Sequence, residues 1–216
     1  MKPGRAGRLS VLARLQLGLE ALYRVETQLS IDAFIIDEAE RDAAGTTRAS
    51  REQLLLQQDD NGLAIGLFVD ATALANLERH DPAAGLDERN FSDFCLAVEG
   101  VSHFIYVALC AAGSRSVSAL ELELQAEVDK FACCVLVAGA TGDLRHRLYG
   151  DVSYADDLDG DEHARYRTAN LQANRYATAL ERLFVARDQT SAMFPELRRF
   201  YRMDLPGKLG HIARLT

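Results

Sequence analysis

The segment from 92 to 137 constrains the fold more than any other part of the chain. Two apolar stretches, 92–112 and 118–137, flank the turn Gly113-Ser114-Arg115-Ser116. Each is long enough for a helix of roughly five to six turns, and so short a link favours antiparallel packing. Asn90 to Asp93 offers N-cap residues for the first helix. Yet these apolar helices carry Glu99, Ser102, His103, Glu121, Glu123, Gln125, Glu127 and Asp129. A buried carboxylate or imidazole costs several kcal/mol unless it is paired or binds a cation. Whatever part of this cluster is buried therefore needs a partner or a cation.

Residues four apart share a helix face, so Glu99 lies over His103 and Glu123 over Glu127. Antiparallel packing brings the two pairs together. One imidazole with two or three carboxylates is a suitable first shell for Zn, Mn or Fe. In that reading Glu99, His103, Glu123 and Glu127 hold the ion, and Glu99 and His103 carry the catalytic proton chemistry of a hydrolase. A second reading makes the same groups a buried polar network that fixes helix register, with the alternating acids of 121–129 partly a solvated face.

The stretch Phe94-Cys95-Leu96-Ala97-Val98-Glu99-Gly100-Val101-Ser102 resembles the FTLAHExxH helix of the ImmA/IrrE-type metallopeptidases. Gln125-Ala126-Glu127-Val128-Asp129-Lys130-Phe131-Ala132 is similar to their later helix, ExEAnxFA, which carries the third ligand. The resemblance spans about residues 50–137 and implies a zincin-like core. It places the three zinc-ligand positions on Val98, Ser102 and Gln125, and the general-base position on Glu99. A chain without those ligands has no Lewis acid to activate water, which implies a degenerate, non-proteolytic relative. Taking Glu99 and His103 as the ligand pair instead puts Gly100 at the base position.

Upstream, leucines at 9, 12, 15, 19 and 22 give one face of a helix. Alternation from Val25 to Ile35 predicts a strand, and the polar 37–50 predicts a loop. Asp59-Asp60-Asn61-Gly62 predicts a tight hairpin between 52–58 and 63–69. A short helix at 71–79 ends at His80-Asp81-Pro82 and Gly85, and the Gly- and Asp-rich 139–161 predicts a mobile connection. Helices follow over 161–188, 191–203 and after Pro206. The order predicts an α+β fold with a small antiparallel sheet on a helical core. Residues 1–137 form that core, and 138–216 a connection and C-terminal helical extension packed on it.

A net charge of −8 argues against a general nucleic-acid binder, which needs a basic surface. No apolar run is expected to reach the roughly 18–20 residues of a bilayer span. Cys95, Cys110, Cys133 and Cys134 lie in apolar helical contexts without CxxC spacing, as reduced cysteines of a cytoplasmic protein do. Two basic segments add a phosphate- or partner-binding reading: Arg167, Asn170 and Asn174 on one helix side, and Arg198 and Arg202 around Phe200 and Tyr201. Solvated, locally paired arginines or dipole-complementing helix ends explain the same residues. The acidic run from Asp151 to Asp161 has a calcium loop's composition but no EF-hand register. The sequence thus points first to a non-proteolytic regulatory or interaction module with a protein partner. A metal-dependent hydrolase with Zn or Mn comes second, and a nucleotide or nucleic-acid binder third.

Overall fold

In the computed structural model of the chain, residues 9–45, 50–59, 62–138, 143–150, 152 and 158–215 are described. The leucine periodicity forms helix α1 (Val11–Tyr23), whose first turn is capped by Ser10 Oγ accepting from the Ala13 N–H. The strand expected over 25–35 is reduced to β1 (Ile35–Ile36), preceded by a 3-10 turn at Ile31–Ala33. The cause lies in α1. The Gln16 amide donates to Leu29 O at 2.7 Å and Thr27 Oγ1 at 3.1 Å, and its Oε1 accepts the Ile31 N–H at 2.9 Å. Glu20 accepts the Thr27 N–H at 3.1 Å. Backbone groups that a ladder needs are thus held by side chains instead. The stretch expected to be a loop contains helix α2 (Glu38–Ala43), opened by a capping box between Asp37 and Glu40.

The two strands pair antiparallel as expected, β2 (Glu52–Asp59) with β3 (Gly62–Val69). Asp59 and Gly62 of the expected turn are themselves a strand pair, and Asp60 and Asn61 between them lie outside the described residues. The strand order is β1-β3-β2, and β1 runs parallel to β3, pairing Ile35 with Leu67 and Ile36 with Phe68. The sheet is therefore mixed, which corrects the antiparallel expectation. The chain leaves β1 through α2 and returns to the sheet at the far edge, so β3 lands between β2 and β1. Helix α3 (Ala71–Arg79) follows and is closed by a 3-10 turn at Pro82–Ala84.

Helices α4 (Phe91–Ala112) and α5 (Ala119–Ala138) form the antiparallel pair. The α1 and α3 helices and the sheet also pack on α4. By length and composition α4 could cross a membrane, contrary to the expectation that no run is long enough, and 78% of its apolar window is buried inside the fold. A short helix, α6 (Leu144–Tyr149), interrupts the stretch expected to be a mobile connection. Most of that stretch's acidic run, including Asp151, Asp156 and Asp157, lies outside the described residues. Helix α7 (Gly160–Leu183) starts with a capping box of Asp159 and Glu162. Then come α8 (Thr190–Tyr201) and α9 (Leu205–Leu215). The α7 helix lies on α5, α8 on α1 and α9 on α7, and a single apolar cluster runs from α1 through α9. The fold is α+β with a helical C-terminal region.

Candidate functional site

Glu99 and His103 of α4 and Glu123 and Glu127 of α5 do come together, with two residues added: Glu52 from the start of β2 and Lys130 one turn beyond Glu127. His103 Nδ1 lies 3.6 Å from Glu52 Oε1, and its Nε2 lies 3.7 Å from Glu123 Oε2. Both distances exceed hydrogen-bond range. The Lys130 ammonium stands between two carboxylates, 3.0 Å from Glu99 Oε2 and 2.6 Å from Glu127 Oε1. Tyr149 of α6 donates to the Glu127 carbonyl at 2.9 Å. Gly100 is what lets the sheet edge in. A Cβ there would stand 3.1 Å from Glu52 Cγ and 3.2 Å from Leu67 Cδ1.

The site is nearly closed to water, with His103 7% and Glu52 9% exposed. Glu52 Oε1, His103 Nε2 and Glu127 Oε2 are buried without a hydrogen-bond partner. Burial disfavours a charged imidazole, but Glu52 beside it and the charges of Glu123 and Glu99 outweigh that and carry the His103 pKa up to about 9. Burial raises Glu123 to about 7, with Glu99 and Glu52 adding to the effect. Burial likewise raises Glu52 and Glu127. Burial also pushes Glu99 upward, but the Lys130 charge and His103 overcome it, leaving Glu99 below the usual carboxylate range. The centre is thus a proton-holding ion-pair cluster with a cationic core. Among the described residues no group of three or more His, Cys, Asp or Glu is arranged to hold a metal ion. The Lys130 ammonium is the cation that lies between the Glu99 and Glu127 carboxylates.

A second polar centre lies on the other side of α5 and was not legible as a site. Glu121, Gln125 and Asp129, spaced by four, are 4%, 0% and 1% exposed, so this stripe is buried rather than solvated. Asp129 accepts from Ser102 at 2.6 Å, from the Gln125 amide at 2.8 Å and from the Tyr23 hydroxyl. Lys208 of α9, fully buried, donates to Gln125 Oε1 at 2.6 Å and Tyr106 OH at 2.8 Å. Tyr106 in turn donates to Glu121 at 2.7 Å, which Arg115 also reaches at 2.7 Å. Burial without a direct carboxylate partner lowers the Lys208 pKa to about 7, and burial raises Asp129 to about 6. The positions that the metallopeptidase resemblance assigns to zinc ligands are used here. Val98 is core, Ser102 serves Asp129, and Gln125 bridges Asp129 to Lys208.

The basic residues do not assemble into one face. Arg198 Nε donates to Leu22 O at 2.6 Å and Arg202 donates to Tyr23 O at 3.1 Å, so both cap the carbonyl end of α1. Asn174 Oδ1 accepts from Arg145 at 3.2 Å, Asn170 Nδ2 is buried without a hydrogen-bond partner, and Arg167 is exposed. The four cysteines are free thiols, Cys95 partly exposed and the other three buried. No family model, curated protein or solved structure matches the chain.

Proposed function

We propose that this chain is a non-proteolytic regulatory or protein-interaction module on a degenerate zincin-like fold, and that its polar centres hold the helices in register instead of performing chemistry. The Lys130 ammonium between Glu99 and Glu127 carries this reading. Two buried carboxylates that would otherwise need a bound cation are neutralised by the chain's own lysine, and a network completed from within has less need of a ligand. The use of Ser102 and Gln125 in an internal network supports the same conclusion.

A metal-dependent hydrolase is the second reading, favoured by one observation: His103 Nε2 is buried and unbonded while Glu52 stands by the other ring nitrogen. A carboxylate on one imidazole nitrogen commonly orients the other toward a metal. Ligation through His103 Nε2, Glu123 and Glu127 would require Lys130 to give up Glu127. Phosphate or nucleic-acid binding has less support, since Arg198 and Arg202 are committed to backbone carbonyls. Metal analysis of protein purified without a polyhistidine tag separates the first two. The module reading expects less than about 0.1 equivalent of zinc, manganese or iron. Near-stoichiometric metal that disappears in His103→Ala would sink it in favour of the hydrolase.

A further inference from the structure

The outer edge of β2 has no strand paired to it among the described residues, because the order β1-β3-β2 leaves it last in the sheet. Its direction of hydrogen bonding is fixed. The Asp70 N–H donates to Arg51 O, while the Leu67 N–H turns away from β2 to Phe34 O. In an antiparallel ladder the backbone groups alternate sides. Residues 51, 53, 55, 57 and 59 therefore bond to β3, and 52, 54, 56 and 58 present their N–H and C=O groups outward. The Glu52 carbonyl already accepts from Ser50 Oγ. Leu54, Leu56 and Gln58 remain as an outward-facing bonding edge.

Natural sheets blunt such edges with proline, lysine, bulges or a covering segment. Between Glu52 and Asp59 this strand has no proline and no lysine, and Leu56 is 47% exposed. Its sequence is nearly its own mirror image: Gln53-Leu54-Leu55-Leu56-Gln57. Antiparallel pairing with an identical strand must match outward residues with outward residues. The register centred on Leu55 does so, placing Leu54 opposite Leu56, Glu52 opposite Gln58 and Gln53 opposite Gln57, with no like charges facing. At the axis the two Leu55 side chains meet as a non-hydrogen-bonded pair, the closer kind of cross-strand neighbour.

We propose that β2 is a self-pairing interface: two copies of the chain join β2 to β2 antiparallel about a two-fold axis at Leu55, merging two three-stranded sheets into one. This deepens the interaction-module reading by naming the partner as a second copy. The interface is isologous, as in most homodimers. Leu55 and Leu56 lie outside the buried core cluster, so changing them tests pairing and leaves the core intact.

Sedimentation of the full chain over a concentration series tests the proposal. The wild type is expected to show a monomer–dimer equilibrium. Leu56→Pro, which removes an outward N–H and no bond to β3, and Leu55→Lys, which sets two ammonium groups across the axis, should each weaken the dimer by about tenfold or more. Mixing Leu55→Lys with Leu55→Glu should restore dimers that neither variant forms alone at the same concentration. Far-UV circular dichroism confirms that each variant is folded, and if Leu56→Pro is not, the Leu55 pair decides alone. A wild type that stays monomeric up to about 1 mM, a dimer unaffected by the Leu55 variants, or failure of the charge mixture to recover would each overturn the proposal. These outcomes leave the metal test untouched, so a heterologous partner for the module would stand even where self-pairing fails.

Discussion

At the scale of single residues, His103 shows how its neighbours override burial. Its pKa of about 9 in the fold lies above the ordinary value of about 6.5. A raised pKa means that the folded state holds the proton more tightly. The stabilisation is complete below about pH 6.5 and is lost as pH rises through about 9. For a side chain this enclosed, the effect is of order 2 kcal/mol after allowing for strong coupling to Glu52 and Glu123. Denaturant midpoints of wild type and His103→Gln should therefore differ most near pH 6, with the variant less stable. The gap should narrow steadily toward pH 9–10. A gap constant across that range would show that His103 is neutral in the fold. Lys208 has the opposite sign: its lowered pKa makes the protonated amine a burden that eases as pH rises above about 7. The two buried cations thus pull the pH–stability curve in opposite directions, and a comparison by variant is needed to see either.

Elements show where local pattern yields to a single side chain. The alternation from Val25 to Ile35 has the period of a strand, but Gln16, 5% exposed in α1, bonds Thr27, Leu29 and Ile31 and holds the segment irregular. Gln16→Leu would leave the Ile31 N–H and Leu29 C=O without these partners. Only the Ile31 N–H bond is buried, and an unmade buried bond costs about 1–3 kcal/mol, so a loss of about that size is expected, with faster amide hydrogen exchange at Ile31 ahead of the rest of the fold. Unchanged protection at Ile31 would refute this account of the segment. The contrast with the hairpin is instructive. The alternation of 63–69 and the polar break before it mark the hairpin, although Asp60 and Asn61 lie outside the described residues. The α1 helix announces itself by its leucine periodicity, α3 by the breakers that end it, and α4 and α5 by two long apolar stretches around a short turn, so these were legible. Convergence of Glu99, His103, Glu123 and Glu127 was legible too, because helix spacing and a short turn are enough to place them. Glu52 was not, since its arrival depends on the bare Gly100 backbone across a sheet–helix contact. The 121/125/129 stripe was misread because spacing alone cannot say which side of α5 faces α9. Lys130 sat in plain view three residues from Glu127, but its role required the distance to Glu99, a residue on another helix.

For the molecule as a whole, the question is whether the C-terminal helices are an accessory or part of the core. Tyr176, Leu180, Met193, Leu197, Phe200 and Lys208 are all fully buried, and all lie beyond residue 137. Tyr176 stacks on Phe200 with ring centroids 4.1 Å apart, and Tyr201 stacks on Tyr23 of α1 at 4.0 Å. Lys208 also supplies bonds to Tyr106 of α4 and Gln125 of α5, at the centre of the first 137 residues. Burial of a large apolar side chain is worth about 1.5–3 kcal/mol, so the five apolar residues named first contribute on the order of 10 kcal/mol. A typical domain keeps only about 5–15 kcal/mol of net stability once conformational entropy is subtracted, so a gross loss of this size is large against it. A fragment ending at residue 137 would lose this burial and expose the faces of α1 and α5 that meet α8 and α7. It would also orphan Gln125 Oε1 in the interior. The expected outcome is that the fragment lacks a cooperative thermal transition and shows collapsed amide dispersion by NMR, whereas the full chain unfolds in one transition. A fragment with native-like dispersion would show that residues 1–137 are an independent unit carrying a docked tail. The buried lysine argues against that outcome: a tail that merely docks has no need to send an amine through the core to bridge two of its central helices.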